Sequence, residues 1–265
     1  MTTLYTPEEF VSELAKYGIK QVLPVETIIY KYAPFETALK IIENNSLLFS
    51  PPTSFNDPFD LTNALIDKSF TETDLRTWLD SFPNLDSAKK EMVFESNWKD
   101  KNQLMDILDG ILNKFKAIAG ISCFSKSFKK TLMWSHYADK HAGICLGFNI
   151  VPIGIPKFSL LEVNYVDKIV PLNYFSKKHV TLLYWLYTKS KVWEYEEEVR
   201  AVHQEVNGLI NFHPHSLREI YYGLRTTKEQ KDKLNGLLSD LKYRVEKVAV
   251  MEINPNTFDL KETTC

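Results

Sequence analysis

The chain has 265 residues, 44% of them hydrophobic and 25% charged, with a formal net charge of −2. That length and composition fit a single globular domain with an ample core. The balanced charge speaks against the basic excess of a general nucleic-acid binder, though it leaves room for a local basic patch. No apolar run approaches the roughly 20 residues of a spanning helix. MTTLYTPEEF lacks a basic region followed by an apolar stretch, so no secretory signal is read, and a cytoplasmic protein without a membrane partner is expected. Cys123, Cys145 and Cys265 form no CxxC pair and no zinc spacing. Cys123 and Cys145 fall in apolar runs and are expected to pack as small hydrophobes.

In chain order, Thr6 as N-cap and Pro7 at the first helical position predict a short opening helix. ETIIYKYA reads as a strand. FETALKIIEN (35–44) has helical spacing at Phe35, Leu39 and Ile42, with Asn44-Asn45 to end it. LLFSPP is a short strand, and TSFNDPFD a turn. From about 69 to 116 the pattern becomes polar and helical, a helical insertion in a sheet-forming chain. Strands then return in AGISCFS, AGICLGFNI, LLEVNYV, EEVRAVHQE, GLINFH and EIYYGL. Thr226-Thr227 cap a helix, TKEQKDKLNGLLSDL, before a last strand, KVAVMEI. The polar tail from about 255 is expected to fray.

Strands that follow one another without regular helical alternation predict an α+β fold. Its sheet is expected to be mixed and largely antiparallel, split or continuous, with flanking helices. One domain spanning 1–265 is expected to contain all of this.

Dinucleotide and phosphate-loop signatures are missing, as are GxSxG and HExxH, so any nucleotide needs another kind of pocket. No metal site is expected. His213 and His215 lack a third ligand at a recognisable spacing, and His136 and His141 have only Asp139 nearby. Trp134, Ser135, His136 and Tyr137 offer an indole, a hydroxyl, an imidazole and a phenol. Such a group either stacks a planar ring and hydrogen-bonds a sugar or phosphate, or forms a buried corner. In FNDPFD, Asn56 and Asp57 make Asx turns before Pro58, or contact a ligand at the end of the LLFSPP strand. Lys31, in an apolar strand, is either an edge charge or a cation aimed into a cleft.

Residues 189–200, KSKVWEYEEEVR, carry the densest signal. An extended chain here would put Trp193, Tyr195 and Val199 on one face, and Glu194, Glu196, Glu198 and Arg200 on the other. That second face is either a solvated edge or the wall of a polar cleft.

Taken together, YKY, LLFSPPTSFNDPFD, CFSKS, LMWSHYADKHAGICLGF, KSKVWEYEEEVR and EIYYGLR resemble an uncharacterised bacterial family, domain of unknown function 2971. The resemblance runs from about Tyr30 to the helix after Gly223 and supplies no chemistry. A second one does. A polar residue in a first strand, a helix, a short strand with serine and a late Glu-x-Glu strand are similar in order to ADP-ribosyltransferase-like domains. Such domains bind NAD in a split-sheet cleft without a Rossmann fingerprint. Lys31 stands where that pattern usually has histidine or arginine, SPP matches the serine motif loosely, and the helical insertion is unusually long.

That resemblance implies that Glu198 promotes cleavage of the glycosidic bond and Glu196 orients or deprotonates the acceptor. It also implies ribose contacts from Lys31 or Tyr32, and a role for Ser50 on the second strand. The leading expectation is an NAD-using transferase or glycohydrolase, a bacterial defence or toxin effector, with NAD as substrate and no permanently bound cofactor. Its acceptor macromolecule is not specified. One alternative is a non-catalytic binding module in which Glu196, Glu198 and Arg200 form an ion network. Another is a nucleic-acid-processing enzyme holding magnesium on Asp57, Glu196 and Glu198.

Overall fold

A computed structural model of the chain describes residues 7–20, 27–149 and 158–264. The expected N-cap Thr6 and Cys265 lie outside the described residues. The fold is α+β, and the chain divides into two compact units. The first comprises Met1–Gln21, Pro52–Ile118 and Val163–Lys191. The second comprises Val22–Pro51, Ala119–Glu162 and Val192–Cys265. The helical stretch expected at 69–116 belongs to the first unit, together with chain from both sides of it.

The first unit is mainly helical: α1 (Pro7–Lys16), α3 (Glu72–Asp80), α4 (Ser87–Lys99), α5 (Lys101–Ile118) and α7 (Tyr174–Tyr187). Local chemistry starts each of the middle three. Thr71 and Asp74 make a reciprocal capping box for α3. Asp86 accepts from the Lys89 amide at the head of α4. Asp100 accepts from Asn102 and Gln103 at the head of α5. Short parallel pairs join β3 (Ile66–Asp67) to β8 (Leu172–Asn173), and β7 (Asn164–Val166) to β9 (Thr188–Ser190). Gly18, at φ +76°, lies so close to Asn164 that a Cβ would stand 2.4 Å from its side-chain oxygen. Sequence reading gave no helix at α7. YFSKKHVTLLYWLY is aromatic and β-branched, and Lys177 leaves helical geometry within it.

The second unit is built on one eight-stranded sheet in the order β14-β13-β12-β5-β1-β4-β10-β6. Its strands are β1 (Ile28–Ala33), β4 (Gly120–Ser125), β5 (Ile144–Asn149), β6 (Phe158–Glu162), β10 (Glu198–His203), β12 (Leu217–Tyr222), β13 (Lys247–Ile253) and β14 (Leu260–Thr264). Among the described residues of this sheet, only β12 and β13 pair in parallel, and α8 (Lys228–Asp240) lies between them in the chain. The remaining pairs are antiparallel.

The frayed tail expected from about 255 is corrected here. Residues 260–264 add an edge strand, with Leu260 opposite Ile253 and buried beside Ala249 and Met251. One apolar side chain in a polar run was enough to anchor it.

Alternation along the strands makes two distinct faces. Ile29, Ala33, Phe124, Leu146, Phe148, Val199 and Ile220 pack with α2 (Phe35–Asn44) and α8. Tyr30, Tyr32, Cys145, Tyr221 and Ala249 pack with Met133 and Trp134 of α6 (Thr131–Tyr137) on the other face.

The sheet is thinnest between β1 and β4. β1 meets β5 along its whole length, from Ile28↔Asn149 to Ala33↔Ile144. Among the described residues it meets β4 at Tyr30↔Ser125 alone. Farther along β4, Ser50 takes the edge instead, exchanging both backbone hydrogen bonds with Ile121 at 3.0 and 2.8 Å. Ser50 follows β2 (Ser46–Phe49), which pairs with β11 (Gly208–Asn211). Among the described residues, no helix is long and apolar enough to cross a membrane.

Candidate functional site

The charged stretch expected to be extended from Trp193 onward is not. Residues Lys191–Glu196 form a 3-10 turn, Glu197 adopts φ +45°, and β10 begins only at Glu198. Glu196 and Glu198 therefore do not share a strand face by i, i+2 alternation. Within the turn the Glu197 amide donates to the Glu194 carbonyl at 3.1 Å. Glu194 is exposed, whereas Glu196, Glu198 and Arg200 are all buried.

Three successive residues at the end of this turn, Tyr195 to Glu197, are held from α6 and the chain just before it. Tyr195 Oη lies 3.1 Å from His136 Nδ1. Tyr137 Oη donates to Glu196 Oε1 at 2.6 Å. Glu197 pairs with Lys130 at 2.7 Å, and its carbonyl accepts from the Lys126 amide. MWSHYA and the glutamate stretch, far apart in sequence, thus act as one structural piece.

On β10, Arg200 donates from Nε to Glu198 Oε1 at 2.7 Å and from Nη2 to Oε2 at 3.1 Å. This planar fork suits a carboxylate. Register places Arg200 opposite Cys123 and Glu198 opposite Ser125, which is itself opposite Tyr30. Glu198 and Arg200 therefore share the sheet face of Tyr30 and Tyr32. Burial pushes the Cys123 thiol pKa up; the Glu198 carboxylate adds to the shift, while Arg200 and Lys31 oppose it.

Lys31 lies on the other face. It stands between Ile29 and Ala33 in β1, and its ammonium is 5.4 Å from the centre of the Phe124 ring. Its Nζ donates to the Cys123 carbonyl at 2.9 Å and to Ser122 Oγ at 3.3 Å. Ser50 bonds Ile121 and Tyr30 pairs with Ser125, so the ammonium takes the carbonyl left between them where β1 and β4 part. Burial pushes its pKa down. Of the two sequence readings, neither an exposed edge charge nor a cation in a cleft describes it; it is a stitch in the sheet.

Tyr32 donates to the Ser127 carbonyl at 2.8 Å. Trp134 is fully enclosed, with its indole N–H on the Phe128 carbonyl at 2.7 Å and its ring edge-to-face with Tyr32. It is a core residue, whereas His136 is exposed, and the contacts of His136 with Tyr195 and of Tyr137 with Glu196 are with side chains rather than backbone groups. Asn56 and Asp57 belong to the first unit. Asn56 is exposed, and Asp57 accepts from the Phe59 amide at 2.9 Å as an Asx turn. Among the described residues no group of three or more His, Cys, Asp or Glu is placed to hold a metal. The sequence assigns no role here to Ser125 or Lys130, although CFSKS marks the first.

Residues 133–201 match the family described as "Protein of unknown function (DUF2971)". That segment, about a quarter of the chain, is similar to this family. The family's segment runs from α6 to β10, so it contains both sides of the His136–Tyr195 and Tyr137–Glu196 contacts and the Glu198–Arg200 pair. No curated protein matches the chain.

Proposed function

We propose that the second unit is an NAD-using enzyme of the ADP-ribosyltransferase type, acting as transferase or glycohydrolase. The observation that carries this reading is the Glu198 carboxylate, fixed by Arg200 at the head of β10 beside the parting of β1 and β4. In this reaction the glycosidic C–N bond breaks and nicotinamide leaves with the bonding pair. The ribose carbon becomes oxocarbenium-like, and a carboxylate already oriented stabilises that charge without reorganising. An acceptor oxygen, from water or a macromolecule, forms the new bond and gives its proton to Glu196, which Tyr137 orients. The test is nicotinamide release from NAD by the purified protein, alone and with cell extract as a source of acceptors. Turnover that Glu198→Gln abolishes supports the reading, and no turnover in either condition overturns it.

The same clamp favours a second reading, a non-catalytic binding module. A carboxylate whose two oxygens both accept from one guanidinium has its charge balanced within the protein. NAD would then raise the melting temperature without releasing nicotinamide.

A further inference from the structure

Helix α5 has a second apolar row beside the one it buries. Leu104, Leu108 and Leu112, four residues apart, are buried. Ile107 and Ile111, also four apart, are 48% and 52% exposed. Adjacent to them runs the row Asp106, Gly110, Lys114. A Cβ at Gly110 would meet nothing within 4 Å, so another backbone can approach closely there.

Several other charges of α3, α4 and α5 are paired within the chain. Arg76 pairs with Glu72 and Glu91, Lys90 with Asp80, Lys99 with Glu95, and Asp109 with Lys68. Asp106 and Lys114 are exposed and take part in no ion pair among the described residues.

We propose that this face of α5 docks antiparallel on the same face of a second copy of the chain, with the two-fold axis at Gly110. In that arrangement residues equally far before and after Gly110 meet, so each Asp106 faces the partner's Lys114. Both charges lie about 6 Å along the helix from the crossing, within reach of a lysine side chain. Ile107 and Ile111 close over the centre. A row reading minus, glycine, plus is its own complement under a two-fold axis. An anionic lipid surface would attract Lys114 but repel Asp106. Association of this kind depends on protein concentration.

Sedimentation velocity on the full chain over a concentration series at low salt tests this. The mean mass is expected to rise toward twice that of one chain. Asp106→Lys or Lys114→Asp alone places like charges together and should weaken association by about tenfold or more. An equimolar mixture of the two single variants should restore it, because all-positive rows then meet all-negative ones. Circular dichroism should be unchanged for both variants, since both positions are exposed. A monomer at every concentration overturns the proposal, as does a dimer indifferent to the reversals. Co-sedimentation with anionic vesicles by a chain that stays monomeric also overturns it.

Discussion

Arg200 and Glu198 sit two residues apart on one face of β10 and satisfy each other with two parallel hydrogen bonds, with neither side chain open to water. Removing one partner breaks both hydrogen bonds of a buried ion pair, and such a pair is vulnerable for that reason. Glu198→Gln and Arg200→Met are each expected to lower unfolding free energy by about 3–5 kcal/mol. The double substitution should cost far less than their sum, because the two side chains are directly coupled. Urea unfolding of the four proteins measures this, and simple additivity would contradict it.

Lys31 supplies the donor that β1's backbone does not bring to the Cys123 carbonyl. Lys31→Met should leave that carbonyl without its donor, at a cost of about 1–3 kcal/mol. The loss should be local. Amide exchange at Ile121 and Ser125 should accelerate before exchange at the β1–β5 pairs. Uniform acceleration across the sheet would show that Lys31 is not the stitch.

Cys123 is partly exposed, yet burial first and then the Glu198 carboxylate push its thiol pKa up. Only the thiolate is alkylated readily. Glu198→Gln removes a negative charge from the thiol's surroundings, lowers its pKa and should speed iodoacetamide labelling at Cys123, read by peptide mass spectrometry. Cys145, buried with its thiol also pushed up by burial, is the internal control. Equal acceleration at both cysteines would indicate loosening rather than electrostatics.

His141 stands at φ +71°, with Nδ1 buried and unbonded. Burial, then the Arg225 charge, hold its pKa below the ordinary histidine value. The unfolded chain therefore binds a proton at a higher pH than the folded one. Its contribution to stability is present above the unfolded value of about 6.5 and is lost as pH falls through the lower folded value. Asparagine tolerates the left-handed backbone, so His141→Asn should fold and should flatten the decline in melting temperature below about pH 6.5. An unchanged slope would assign that decline to other groups.

Most sheet elements were legible in the sequence because their physical causes are local. IIYKYA and KVAVMEI are rich in β-branched residues, and FETALKIIEN has helical spacing that ends at Asn45, the left-handed C-cap. α7 was not legible, because its aromatic and β-branched residues are chosen for burial rather than helix propensity. The importance of residues 194–200 could be read from their charge, but not their shape. Extended alternation was the natural reading, and what replaced it are tertiary holds on Tyr195, Glu196 and Glu197 from residues some sixty positions earlier. Lys31's place also depends on pairing, since a strand's sequence does not announce that its neighbour departs after one register pair.

Nicotinamide release separates a clamped Glu198 that performs chemistry from one that only holds the sheet. The most direct measurement is nicotinamide release from NAD, with and without cell extract, by wild type and by the charge-balanced Glu198→Gln/Arg200→Met protein at matched folded fraction. Turnover by wild type is expected, with its loss in a double variant that remains folded. No turnover by wild type in either condition, or equal turnover by the folded double variant, would contradict it.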